Sequence, residues 1–173
     1  MEALCRIGQQ VHVLKEVKDY WGGMLRLDAT SFWETYDPTE SDAQHYAMYG
    51  RAFGKSLCHA WGASPIYLLG KYFLGVSPTG PGYRTYIVEP DLGGLTWMKG
   101  EVPTPAGNIV MSVTEKQISI KTVAGKGILR FESTTKPSCK TATIKKVTSG
   151  YYKMELEPND QYELMYISDK MNQ

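Results

Sequence analysis

Apolar side chains recur at helical spacing near the start of the chain. Ala3, Leu4, Ile7, Val11, Leu14 and Val17 stand three or four positions apart and draw one stripe, with Lys15, Glu16, Lys18 and Asp19 largely opposite. The pattern predicts a helix over residues 2–20 that stops at Gly22-Gly23. It begins almost at Met1 without a capping sequence, which suggests a chain that starts inside a larger fold. Residues 24–53 follow no clean period, and Asp37-Pro38-Thr39-Glu40-Ser41-Asp42 reads as a polar turn or helix entry. Helical spacing returns over residues 55–73 in Leu57, Cys58, Trp61, Ile66, Leu68, Leu69, Tyr72 and Phe73. Pro65 lies inside that run and should kink the helix or begin a new one. The run is apolar around most of its circumference, so it needs cover from several sides, more than two helices supply.

The texture changes at Gly75. Ser77-Pro78-Thr79-Gly80-Pro81-Gly82 is a Pro/Gly hinge. Short alternating segments follow: Tyr83 to Val88, Leu95 to Val102, Asn108 to Val113, Gln117 to Thr122, Ile128 to Glu132, Thr141 to Val147, Tyr151 to Leu156 and Tyr162 to Ile167. Turn signals such as Gly93-Gly94, Gly125-Lys126-Gly127 and Pro158-Asn159-Asp160 separate them. About eight strands at this spacing predict an antiparallel β-sandwich. The polar tail Asp169 to Gln173 is expected to fray. The fold class is therefore α+β in two parts, helices first and a sandwich after.

Composition narrows the partners. In 173 residues, 19 basic and 18 acidic side chains leave a net charge of +1, with no basic run, so neither nucleic acid nor an acidic membrane is an expected partner. No segment approaches the roughly 18 apolar residues of a membrane span. The N-terminal stretch lacks an apolar signal core, which makes the cytoplasm the default compartment. Cys5, Cys58 and Cys139 are odd in number and widely spaced. They fit neither a disulfide framework nor a metal pattern and read as reduced thiols.

Candidate chemistry concentrates in residues 28–64. Glu34 is flanked by Phe32, Trp33 and Tyr36, and Cys58-His59-Ala60-Trp61-Gly62 follows 24 residues later. A carboxylate among aromatic rings, with an imidazole beside an indole, suits a sugar: ring faces stack on the C–H face of a pyranose while the polar groups take hydroxyls or activate a water. Taken singly, each residue also has a plain structural reading, Glu34 as a solvated loop side chain and His59 and Trp61 as core. Asp28 and Asp37 could hold the loop or bind hydroxyls, and His12 and His45 have no assigned role.

Four segments, in order, resemble an α-L-rhamnosidase of the large bacterial glycoside hydrolase family with an (α/α)6 barrel. Asp28-Ala29-Thr30-Ser31-Phe32-Trp33-Glu34 resembles its "GATT-x-WE" segment, with Asp28 where Gly is usual. Ser56-Leu57-Cys58-His59-Ala60-Trp61-Gly62-Ala63-Ser64-Pro65 resembles "S-x-x-H-x-W-[GS]-x-x-P". Leu74 to Gly82 resembles the "LGI-x-P-x-x-PG" hinge, and Gly100 to Gly107 resembles "G-x-VPTP-x-G" in the trailing sandwich. Together they span most of residues 21–110; residues 111–173 match only in strand texture.

The resemblance implies that residues 1–75 are the incomplete helical end of the barrel, 76–82 a hinge and 83–173 a C-terminal β-sandwich. It implies that Glu34 is the general base of an inverting hydrolysis, that His59 hydrogen-bonds the rhamnose, and that Trp33 and Trp61 are ring platforms or the wall beside the sugar's methyl group. Aromatic neighbours would partly desolvate Glu34 and make it a better base. No metal or cofactor is implied. The family's general acid lies on an earlier part of the barrel, so this chain alone is expected to be inactive and to need a missing N-terminal barrel or a partner chain. Two other readings stay open. In a non-catalytic carbohydrate-binding module, Tyr83, Tyr86 and Trp97 would be platforms. In a structural subunit, the chain would complete a partner's barrel.

Overall fold

A computed structural model describes residues 1–167, so the expected fraying of residues 169–173 lies outside the described residues. The chain divides into two compact units, Met1–Leu68 and Leu69 onward.

The first unit opens with α1 (Glu2–Arg6) and α2 (Gln10–Arg26) rather than one helix. The break is at Gly8, in the left-handed region at φ +79°. There Gly8 N–H donates to Cys5 O at 3.1 Å and Gln9 N–H to Leu4 O at 2.9 Å. This pair of bonds is the Schellman closure that a C-terminal glycine allows. Of the predicted stripe, Leu14 is buried while Ile7 and Val11 are exposed, and the most buried position of α2 is Val13, which the stripe left out. α2 also runs through the predicted stop at Gly22-Gly23. A Cβ on Gly23 would lie 2.2 Å from the Tyr36 ring, so the glycine is there for close approach and not for termination. Termination comes at Asp28, left-handed at φ +58°, where Asp28 N–H reaches Leu25 O and Ala29 N–H reaches Met24 O, each at 3.1 Å.

The helix predicted over residues 55–73 is likewise shorter. Residues 55–59 are irregular; a 3-10 turn (Ala60–Ala63) leads into α3 (Ser64–Leu68). Pro65 sits in the first turn of α3, where a missing N–H loses no helical bond, so it begins a helix and does not kink one.

The second unit starts with a π-helical turn (Leu69–Phe73) and continues as β1 (Val76–Pro78), β2 (Thr85–Val88), β3 (Trp97–Thr104), β4 (Gly107–Thr114), β5 (Gln117–Lys121), β6 (Lys126–Glu132), β7 (Ser138–Cys139), β8 (Ile144–Thr148), β9 (Tyr151–Leu156) and β10 (Gln161–Met165). Two five-stranded sheets form, in the orders β1-β2-β6-β9-β8 and β3-β4-β5-β10-β7. Each predicted strand is present, Tyr151 to Leu156 with the predicted ends and the others with shifted ends. β1 arises within the predicted hinge, and β7 has too few residues to show a period. One pairing departs from the antiparallel expectation: β2 runs parallel to β6, from Thr85 opposite Lys126 to Val88 opposite Leu129.

Alternation dictates the rest. Ile109, Met111 and Val113 on β4, Ile118 and Ile120 on β5, Leu129 on β6, Met154 and Leu156 on β9, and Tyr162 and Leu164 on β10 all point inward and are buried. This is a β-sandwich core, preceded in sequence by helices.

Candidate active site

Within the first unit, two backbone pairings join the segments that carry the predicted site. Glu34 N–H donates to Ser56 O at 2.8 Å, and His59 N–H donates to Phe32 O at 2.7 Å. They lay residues 32–34 alongside residues 56–59 and bring Glu34 and His59 together, although neither stretch forms a regular strand. The approach is close: a Cβ on Gly62 would stand 2.5 Å from Trp33 O. α2 anchors the far side, with Trp21 Nε1–H donating to Gly62 O at 2.7 Å. Nearby, Tyr36 N–H donates to the Tyr20 hydroxyl at 3.0 Å.

The Glu34 side chain is 5% exposed and both carboxylate oxygens are held. The Tyr49 hydroxyl donates to Oε1. Ser56 N–H donates to Oε2 at 3.2 Å. His59 Nδ1 stands 4.0 Å from Oε2. Each oxygen has two lone pairs, so each keeps acceptor capacity after its one donor. The expected desolvation of Glu34 is present but outweighed. The Tyr49 hydroxyl first, then the Ser56 N–H, hold the carboxyl below the usual carboxylate range, with His59 and Lys55 adding to the effect. Glu34 is thus a weaker base than its aromatic neighbours suggested, and one that stays ionised. The same contact pushes the Tyr49 phenol up.

The tryptophans separate. Trp61 is 69% exposed, its ring 4.3 Å from the His59 ring, and its indole N–H donates to the Glu34 main-chain oxygen at 3.1 Å. Its edge is pinned and its face is open, as a sugar platform requires. Trp33 is 3% exposed and packs against Tyr46 at 5.6 Å, so it is a core ring of this unit and not a platform. Asp37 accepts from both the hydroxyl and the N–H of Thr39, a turn contact that holds its carboxyl low. Asp28 serves the helix end described above. His12 lies 3.9 Å from Glu16 one turn along α2.

Two groups missed from sequence support the loop. Lys55, with a 2% exposed side chain, donates to Glu40 at 3.1 Å. Buried His45 stands 3.8 Å from the same carboxylate and stacks on Tyr36. A lysine flanking an apolar helix reads as solvated, and only the fold shows it inside. Tyr49 is a third such group, brought to Glu34 by the turn at residues 48–51. In the second unit, Tyr86 is 1% exposed and cannot be a surface platform, whereas Trp97 is 65% exposed. Among the described residues, no group of three His, Cys, Asp or Glu side chains is placed to hold a metal ion, and no helix is long and apolar enough to cross a membrane.

A family model described as the bacterial alpha-L-rhamnosidase C-terminal domain matches residues 75–123. The chain is similar to the C-terminal portion of a bacterial alpha-L-rhamnosidase. A GH78 family rhamnosidase of Bacillus sp. GL1 shares 40% identity at a TM-score of 0.52, over 64% of this chain and 11% of its own. The Streptomyces avermitilis alpha-L-rhamnosidase, solved with L-rhamnose, aligns at a TM-score of 0.65 with 14% identity, over 84% of this chain and 14% of its own. The alpha-L-rhamnosidase from Dictyoglumus thermophilum aligns at 0.56 with 18% identity, over 84% of this chain and 17% of its own. The last two establish likeness of fold. The chain thus spans between 11% and 17% of these rhamnosidases. No curated protein matches it by sequence. The family match covers the segment at 100–107 and all but Leu74 of the segment at 74–82 that carried the rhamnosidase resemblance; Glu34 and His59 lie outside it.

Proposed function

We propose that this chain is the C-terminal part of an inverting α-L-rhamnosidase and supplies its general base. In this reading residues 1–75 are the last helices of an (α/α)6 barrel, 76–82 lead out of it, and 83–173 are the trailing sandwich. The observation that carries the reading is the Glu34 carboxylate, nearly covered, held by two donors, beside His59 and the open face of Trp61.

Glu34 takes a proton from a water, and the resulting hydroxide attacks the anomeric carbon of a terminal L-rhamnose. The leaving oxygen departs from the opposite face as a second carboxyl protonates it. Inversion sets those carboxyls about 6.5–9.5 Å apart to admit the water. We assign the acid to the remainder of a longer enzyme or to a partner chain. Around Glu34, the neighbouring Glu40 is engaged with Lys55 and Asp37 with Thr39. A carboxyl held low suits a base that must be ionised before substrate arrives. His59 offers a ring nitrogen to a rhamnose hydroxyl, and Trp61 packs on the sugar's C–H face. Three free thiols, Cys5, Cys58 and Cys139, favour a reducing compartment for this chain.

The test is Glu34→Gln in a complete enzyme carrying this segment, assayed on a terminal rhamnoside. Loss of about 10²–10⁴-fold in turnover is expected of a general base. Near-wild-type turnover would sink the assignment.

A further inference from the structure

Residues 48–51 form a two-residue hairpin turn. Met48 N–H donates to Arg51 O at 3.0 Å and Arg51 N–H to Met48 O at 2.9 Å, and the central residues Tyr49 and Gly50 are both left-handed, at φ +54° and +72°. A turn of this kind favours Asn, Asp or Gly at its first central position, and a bulky aromatic there is costly. Tyr49 is nonetheless in that conformation. The phenol is not there to fill a core, since the residue is 71% exposed. Among the described residues, its hydroxyl is hydrogen-bonded to Glu34 Oε1 alone. Strain of this sort persists where surrounding structure enforces it, and it gathers at functional sites.

We propose that Tyr49 is the positioning residue of this site: a strained turn presents its hydroxyl to Glu34 Oε1 and fixes the plane of the carboxylate. The inference rests on the reading of Glu34 as the base. With Ser56 N–H on Oε2 and Tyr49 on Oε1, both oxygens are pinned and rotation about the terminal torsion of Glu34 is closed off. One lone pair on each oxygen stays free in a fixed direction, where a water can be met already oriented. The hydroxyl also favours the ionised carboxylate, so its removal raises the pH at which the base loses its charge.

The experiment uses two variants. Tyr49→Phe removes only the hydroxyl. Tyr49→Asn removes the phenol and places in the turn a residue that tolerates the left-handed region, so a folded protein is secured. The Glu34 side-chain carboxyl is followed by carbon-13 NMR through a pH titration of the full chain. The same substitutions are then made in a complete enzyme carrying this segment. In both variants the Glu34 midpoint moves up, and the acid limb of kcat/KM follows it. The kcat falls about tenfold while KM for the rhamnoside stays within about twofold, as expected when orientation and not binding is lost. An unmoved Glu34 titration in Tyr49→Phe overturns the contact. A moved titration with wild-type kcat overturns the positioning role. Failure of the base reading is a separate result: Glu34→Gln would then keep turnover whatever Tyr49→Phe does to the titration.

Discussion

Residues 28–64 and the strands of the second unit reach order by opposite routes. On β4, Ile109, Met111 and Val113 are each at most 1% exposed, and every neighbour along the ladder repeats the same instruction. A lost side chain there costs packing and leaves the register to the others. The loop segment has no such redundancy. Its regular structure is a bridge between Met48 and Arg51 and short 3-10 turns. Single contacts set its shape: Glu34 to Ser56, His59 to Phe32, Lys55 to Glu40 and Trp21 to Gly62. The sandwich is built to tolerate change in stability, and the loop is built so that two hydrogen bonds, one on each oxygen, decide where a carboxylate points. Loops carry sites for this reason: their geometry is not committed to a repeating ladder.

The largest stability effect should fall in the sandwich. Ile120 on β5 is fully buried, and Ile120→Ala should cost about 2–5 kcal/mol through lost transfer and the cavity left behind. Denaturant unfolding measures it. A loss below about 1 kcal/mol would mean that the sheet faces are not packed as tightly as their burial indicates. The loop should answer differently. Lys55→Met keeps the side chain's bulk and removes the charge facing Glu40, whose side chain is 32% exposed and can recover part of its hydration. About 1–3 kcal/mol is expected, less than for a pair buried on both sides. The sharper readout is local. Ser56 follows Lys55 in the chain and gives Glu34 its backbone donor, so Ser56 N–H should lose protection from exchange. Unchanged protection at Ser56 would break the contrast between a redundant sheet and a singly held loop.

The same contrast explains what could be read from sequence. Strands such as residues 117–121 and 151–156 announce themselves because a half-buried strand must alternate. The parallel pairing of β2 with β6 leaves no such mark, since period two is the same in either direction. Helix ends misled where glycine has two uses. Gly8 terminates a helix by adopting a left-handed φ, whereas Gly23 lies within α2 to admit the Tyr36 ring. In the candidate site, Glu34, His59 and Trp61 were legible as residue types in a spaced motif. The burial of Trp33 was not legible, because an indole in a stretch without a period carries no sign of whether it faces the core. Tyr49 and Lys55 were illegible because their roles depend on a fold-back of the chain between residues 34 and 56 that no local period encodes.

The smallest predicted effect separates shape from chemistry at Asp28. This residue is the left-handed C′ position of α2, the place in a Schellman closure where glycine is usual. The motif it resembles has glycine there, and the geometry supplies the reason. In Asp28→Gly, relief of the left-handed cost, about 1 kcal/mol, is partly offset by the greater freedom of glycine in the unfolded chain, leaving a net gain of about 0.5 kcal/mol. Asp28→Ala should instead lose up to about 1 kcal/mol, because alanine meets the same φ without a polar side chain to ease it. Thermal unfolding of the two variants together checks the sign. If Asp28→Gly also leaves rhamnoside turnover unchanged in a complete enzyme, Asp28 ends a helix and does no more. If glycine destabilises, or if stability rises while turnover falls, the Asp28 carboxylate has a role that the backbone geometry leaves out, and the loop begins to recognise its ligand at its first residue.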